Sequence, residues 1–137
     1  MRHVLFRLAS ERFALPLAAV REVVLPQPPF ARVPRASDAV RGVMNLRGRV
    51  VAVVDLAPLV GLAPQPLEEA VGQVIVLDHA RRAIGLLIGG VLGVEPLALE
   101  GAAGDGLVLG VAAARAGAVT VLAADGVAGE ALRLFGR

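Results

Sequence analysis

Runs of Val, Leu and Ile are short throughout this chain, and each is cut off by Gly, Pro or a charged pair. Such punctuation marks strands rather than helices. Predicted strands fall at 4–8, 13–17, 22–25, 40–46, 50–54, 74–77, 84–88, 91–94, 107–111 and 119–122. Ser10-Glu11-Arg12 and His79-Ala80-Arg81-Arg82 interrupt neighbouring runs and predict hairpin turns, because short polar loops join antiparallel strands. No amphipathic stretch is long enough to cross over between parallel strands, so the pairing is predicted to be antiparallel. Helix is predicted only at 56–60 and at 129–135, where Glu130 near the start and Arg133 near the end suit the helix dipole.

The pattern repeats. Val4 to Val24 aligns without a gap on Ile75 to Glu95, pairing Leu15 with Leu86, Val20 with Val91 and Val23 with Val94. Val40 to Val54 aligns on Val108 to Leu122, placing Gly42 on Gly110, Arg47 on Arg115 and Val53 on Val121. Each half therefore runs hairpin, V-x-x-V, then G-V-x-x-x-R and a further apolar strand. Five short strands per half are too few for an open two-layer sandwich and suit a small closed barrel, which also removes exposed edges. The expected architecture is all-β: two small five-stranded barrels packed together, with short helices. The halves divide at about 1–62 and 73–137, with strand exchange between them left open. The join at 58–73 is broken by Gly61, Pro64 and Pro66 and carries the solvated pair Glu68-Glu69.

Mean hydropathy is high, at +0.71, yet no stretch free of Asp, Glu, Lys, Arg and His is longer than 83–94. That is well short of the ~18 apolar residues a spanning helix needs. Met1-Arg2-His3 enters the alternating pattern at once, without the apolar core of a signal peptide, so a cytoplasmic location without membrane insertion is expected. The surplus of apolar residues is then expected between the barrels and at partner surfaces. All basic residues are Arg, so the pI of about 10.9 arises from a net charge of only +2 with no Lys, Tyr or Cys to titrate on the way. The arginines are scattered among acids, and the densest group, Arg41, Arg47 and Arg49, has no aromatic neighbour for base stacking. Nucleic acid is not an expected partner.

Catalytic chemistry is sparse. Cys is absent, the only hydroxyls are Ser10, Ser37 and Thr120, and His3 and His79 are isolated. These exclude thiolate chemistry and cysteine zinc sites and leave no metal cage. Gly104-Asp105-Gly106 lacks the third glycine of G-x-G-x-x-G, having Leu109 there, and reads as part of a loop. Neither a cofactor nor enzymatic activity is expected.

One constellation stands apart. Gly42-Val43-Met44-Asn45-Leu46-Arg47-Gly48 closes one strand, and Arg49 to Leu56 begins the next. Read as structure, it is a hairpin whose Gly48 supplies positive φ and whose Arg47 is solvated. Read as function, it places a guanidinium at the tip of a rigid hairpin, oriented by an acid, for which Glu22 is the candidate.

Phe13-Ala14-Leu15-Pro16-Leu17, Val20-Arg21-Glu22-Val23, Val33-Pro34, the N-L-R-G segment at 45–48 and Val53-Val54-Asp55-Leu56 together resemble the CheW-type coupling domain of bacterial chemotaxis. Gly85-Leu86-Leu87-Ile88, Val91 and Gly110-Val111-Ala112 resemble that family's second half. The resemblance implies two SH3-like barrels around a shared core and a non-enzymatic adaptor. Its partners would be the regulatory domain of a CheA-type histidine kinase and the cytoplasmic tip of methyl-accepting chemoreceptors. It further implies Glu22 and Arg47 as a structural and interface pair, with Gly42, Asn45 and Gly48 shaping the loop. An apolar receptor groove would draw on Val20, Val23, Val91 and Val94. Gly89 and Ala123 depart from the family pattern, which often has Asp at both places, so the second barrel is expected to be looser. Two alternatives stand beside this reading: a CheW-like scaffold of a non-flagellar array serving pili or development, and a small-ligand binding barrel. The second would need a polar-lined pocket, for which the sequence offers no residues.

Overall fold

The computed structural model describes residues 1–34, 36–65, 72–100 and 106–135. Strands form at β1 (Arg2–Leu8), β2 (Glu11–Pro16), β3 (Val20–Val24), β4 (Val40–Leu46), β5 (Arg49–Asp55), β6 (Gln73–His79), β7 (Arg82–Ile88), β8 (Gly90–Pro96), β9 (Val108–Ala114) and β10 (Gly117–Leu122). A 3-10 turn (Leu17–Ala19) links β2 to β3, α1 (Leu56–Leu59) follows β5, and α2 (Ala124–Phe135) follows β10. Every predicted strand is present. Pro66, Glu68-Glu69 and the Gly104-Asp105 part of the glycine-rich loop lie outside the described residues.

The strands make two five-stranded sheets, ordered β8-β1-β2-β10-β9 and β3-β6-β7-β5-β4. These sheets do not coincide with residues 1–62 and 73–137. The β1–β2 hairpin of the first half lies among β8, β9 and β10, and the β6–β7 hairpin of the second half lies among β3, β4 and β5. The exchanged hairpins occupy the centre of each sheet, where both faces are buried. On β7, Ile84, Leu86 and Ile88 face a core shared by the two sheets, while Ala83 and Leu87 face the interior of their own sheet. On β2, Phe13 and Leu15 face the shared core and Ala14 faces inward. Strands buried on both faces need continuous apolar sequence, and this explains the high hydropathy of the chain.

The exchange also corrects the antiparallel expectation. Two pairs are parallel, β5 with β7 and β10 with β2. A crossover helix is needed only when parallel strands follow one another directly, whereas here other strands of the chain lie between them. The turns sit at Ala9–Ser10 and Ala80–Arg81, so Glu11 and Arg12 already belong to β2 and pair with Leu8 and Arg7.

Three apolar clusters result. One fills the first sheet's interior around Leu5, Ala14, Val119 and Val121. Another fills the second around Met44, Val51, Val53, Val74 and Val76. The largest lies between the sheets, from Phe6 and Phe13 on one side to Ile75 and Leu86 on the other, and takes in Val127, Ala128 and Ala131 of α2. That burial explains why α2 begins at Ala124 rather than at 129. Gly126 and Gly129 lower its intrinsic propensity, and packing on the shared core overrides this. Among the described residues, no helix is long and apolar enough to cross a membrane.

The interior of the second sheet is tight at Gly85, where an added Cβ would stand 2.6 Å from Val74 Cγ1 and 3.1 Å from Val51 Cγ1. Replacing Gly85 by Val is expected to cost about 1–3 kcal/mol through overpacking, read as a lower denaturant midpoint with an unchanged slope.

Candidate functional site

The β4–β5 connection is a two-residue turn in which Arg47 (φ 52°) and Gly48 (φ 83°) are both left-handed. This is the tight turn whose twist matches that of the flanking strands. The left-handed region therefore includes Arg47, where sequence reasoning assigned it to Gly48 alone. Asn45 fixes the turn, its Oδ1 accepting the Gly48 N–H at 2.8 Å. From this turn the Arg47 Nη2 donates to both carboxylate oxygens of Glu22, at 2.7 and 2.5 Å. Glu22 lies on β3, so the ion pair spans the seam between β3 and β4, the two edge strands of the sheet. The Arg47 side chain remains 67% exposed, and its outer donors face solvent.

Flanking charges continue the pattern. Asp78 on β6 accepts from Arg21 Nη1 of β3 at 2.7 Å and from Arg49 Nη2 of β5 at 2.5 Å. A cleft of about 130 Å³ lies among Arg21, Glu22, Arg47, Arg49 and the apolar Leu46 and Val76. The Arg47 hydrogen bond holds the Glu22 carboxyl below its ordinary pKa, against the opposing effect of desolvation. The Arg21 hydrogen bond does the same for Asp78, with Arg49 adding to it. Asp78, Arg21 and Arg49 escaped the sequence reading, because their meeting depends on the β3–β6 pairing that sets Val20 opposite Leu77.

The second sheet's seam has a counterpart in the first. Arg115, the repeat partner of Arg47, sits in the β9–β10 turn, and its backbone N–H donates to Glu95 Oε1 at 3.1 Å. Glu95 lies on β8, the edge strand opposite β9. The repeat alignment puts Gly93 where the first half has Glu22, so the seam acid has moved two residues along the strand, which keeps it on the same face. In both sheets an acid on one edge strand reaches the hairpin of the other. Among the described residues, Arg47 is held through its side chain and Arg115 through its backbone alone.

The remaining predicted positions divide. Asn45 and Gly48 shape the hairpin, but Gly42 lies at the far end of β4, with φ 131°. A side chain there would run into the Ala31 carbonyl, because Ala31 and Val43 exchange backbone hydrogen bonds at 2.9 Å across it. Gly42 thus shapes the β4 edge and not the turn. Val20, Val23 and Val91 are half-buried against the shared core. Val94 is 42% exposed and stands apart from that cluster.

Both departures from the family pattern have local explanations. A Cβ at Gly89 would lie 2.8 Å from Arg7 Nη1 and 2.9 Å from the Arg7 carbonyl, which accepts the Gly89 N–H at 2.9 Å. Arg7 therefore fills the space that an acid at 89 would occupy. Ala123 is the repeat partner of Asp55. Asp55 is buried and caps α1, with Oδ1 accepting from Ala57 N at 3.1 Å. It also accepts from Arg41 Nη2 at 3.0 Å and from Gln65 N and Nε2 at 2.8 and 2.7 Å. Ala123 occupies the same cap position on α2, its carbonyl accepting the Val127 N–H at 2.9 Å, with no side-chain acceptor to offer.

The family model for the CheW-like domain matches residues 2–128, and the chain belongs to this family. Among similar proteins is Protein PilI of Pseudomonas aeruginosa, 32% identical over 90 residues, covering 66% of this chain and 49% of that protein. The chemotaxis protein CheW of Thermotoga maritima is 36% identical over 73 residues, covering 53% and 47%. That of Klebsiella aerogenes is 32% identical over 100 residues, covering 71% and 57%. The chain spans about half the length of the curated relatives it matches. The crystal structure of the scaffolding protein TtCheW from Thermoanaerobacter tengcongensis has the same fold, with a TM-score of 0.76 at 22% identity over 89% of this chain and 88% of that one.

Two outcomes test this geometry. Because both carboxyls have lowered pKa values, the stability that Glu22 and Asp78 contribute is complete above the ordinary carboxylate range and lost as pH falls through their folded-state values. A Glu22→Gln/Asp78→Asn double variant should lose less stability than wild type between pH 6 and 2 in a series of urea titrations. Separately, Ala123→Asp should stabilise the fold by about 1 kcal/mol by restoring a helix cap, seen as a raised midpoint in chemical denaturation.

Proposed function

We propose that this chain is a non-enzymatic adaptor that couples chemoreceptors to a CheA-type histidine kinase in the cytoplasm, using two surfaces of one rigid body and no cofactor. The observation that carries the proposal is the exposed Arg47 guanidinium, pinned by Glu22 on a two-residue turn. A guanidinium already oriented can meet backbone carbonyls or carboxylates of a partner with little further ordering. Membership of the CheW-like domain family supports the kinase and receptor as those partners. Val20, Val23 and Val91, half-buried beside the shared core, are the proposed floor of the receptor groove, with Val94 at its exposed margin. Among the described residues, the sheet interiors are filled by their own side chains, which disfavours a ligand-binding barrel. The relative bearing the name Protein PilI favours a second reading, an array serving an output other than flagellar motility.

Arg47→Ala is expected to weaken binding to the kinase regulatory domain or to a receptor-tip fragment tenfold or more, a loss of about 1.4 kcal/mol or greater. The fold should persist, since exposed ion pairs contribute only about 0–1 kcal/mol. Arg115→Ala should weaken binding less, because no acid holds its side chain. Titration of both variants against each fragment by calorimetry decides the matter: wild-type affinity for both partners in Arg47→Ala would reject the site, and its unfolding would make the residue structural.

A further inference from the structure

The second sheet has an outer face that α2 covers only in part. Met44, Leu46, Val51 and Val53 fill the sheet's interior, so by alternation Val43, Val50 and Ala52 point outward. Beside the last turn of α2 these three form the floor of a groove of about 430 Å³, walled by Leu132 and Phe135 of that helix. Val50 is 67% exposed on this floor, which leaves apolar surface in water that no other described segment covers.

The rim is basic. Arg81 and Arg82 border the groove from the β6–β7 turn, with Arg49 beside them. Arg49 is paired with Asp78, but among the described residues neither Arg81 nor Arg82 has an acidic partner. Arg81 has φ 65° and Ala80 has φ 51°, conformations that glycine or asparagine would adopt more cheaply. A tight turn thus presents two adjacent guanidinium groups at one end of an apolar trough.

We propose that this groove is a docking site for an acidic, amphipathic segment of a partner protein, whose apolar side chains fill the trough while its carboxylates meet Arg81 and Arg82. Three observations select that occupant. The volume takes a few apolar side chains, the number that one face of a short amphipathic segment presents. The unpaired rim charges are all positive, so the complement is negative. A second copy docked on the same face would offer Arg81 and Arg82 no carboxylate, because a two-fold interface presents the same patch twice and the lining of this groove holds no acid. The site lies on the outer face of the hairpin that carries Arg47 and is independent of the Arg47–Glu22 pair, so the inference goes beyond the adaptor reading and stands without it.

The test uses the full chain and a fluorescein-labelled helical peptide with Leu on one face and Glu on the other. A peptide of the same composition with scrambled order is the comparison. Anisotropy titrations should saturate for the amphipathic peptide and weaken as salt rises. Val50→Glu and the Arg81→Gln/Arg82→Gln double variant should each weaken binding tenfold or more. Arg2→Gln/Arg12→Gln, which removes equal charge from the other sheet, should leave binding unchanged. Should Val50→Glu unfold, as judged by circular dichroism, Val50→Ser adds no charge and is expected to lose affinity severalfold. Equal binding of the scrambled peptide, or full binding by the folded Val50 variants, overturns the proposal. A dimer in sedimentation equilibrium that Val50→Glu dissolves would assign the groove to a second copy. Binding to anionic vesicles that Val50→Glu abolishes, without peptide binding, would assign it to a membrane. Either result likewise overturns the proposal.

Discussion

The rest of the structure depends on burial between the two sheets. Phe6, Leu8, Phe13 and Leu15 from one sheet meet Ile75, Leu77, Ile84, Leu86 and Ile88 from the other. All nine belong to the two exchanged hairpins. Full burial of each such side chain contributes about 1.5–3 kcal/mol relative to exposure, whereas the ion pairs at the surface contribute far less. The charged seam is therefore positioned by the fold and does not hold it together. Glu22 can reach Arg47 because β3 and β4 are fixed as opposite edges of a sheet whose centre is anchored from outside by the other half of the chain.

The strands were legible because their signal is local. Gly, Pro and charged pairs cut the chain into segments of strand length, and period-two or continuous apolar runs fill them. The two-barrel architecture was legible from the internal repeat and from the CheW-type resemblance. Which hairpin joins which sheet was not. That choice is made by shape at the shared core, which gathers residues such as Phe13 and Ile84 that lie far apart in the chain and carry no sequence mark. The parallel pairs β2–β10 and β5–β7 were missed for the same reason.

At the candidate site, the turn chemistry of Asn45 and Gly48 and the Glu22–Arg47 pairing could be read from residue types and motif. Gly42 was legible as a special residue and its place was not, since the segment that crosses it, Phe30 and Ala31, sits in a stretch with no strand signal. Asp55 was visible only as part of a motif. Its buried network with Arg41 and Gln65 needed the loop after α1 to fold back over the sheet, bringing Gln65 Nε2 within 2.6 Å of the Leu87 carbonyl. The repeat also shows how the halves have diverged: the first retains a capped helix and a side-chain seam, and the second has Ala123 and a backbone seam in their place.

The reciprocal placement of the two hairpins has a consequence for how the chain comes into being. During synthesis β1 and β2 emerge well before the strands that flank them, β8 and β10. The N-terminal hairpin must wait with its apolar faces unsatisfied, and β3, β4 and β5 must wait for β6 and β7. So many distant pairings slow folding and make it concerted. Cutting the chain at its natural join would leave two fragments that each lack the middle of a sheet. Mixed together, they could reassemble only by each lending the other a hairpin, so the doubled sequence does not mark a place where the sheets can be parted.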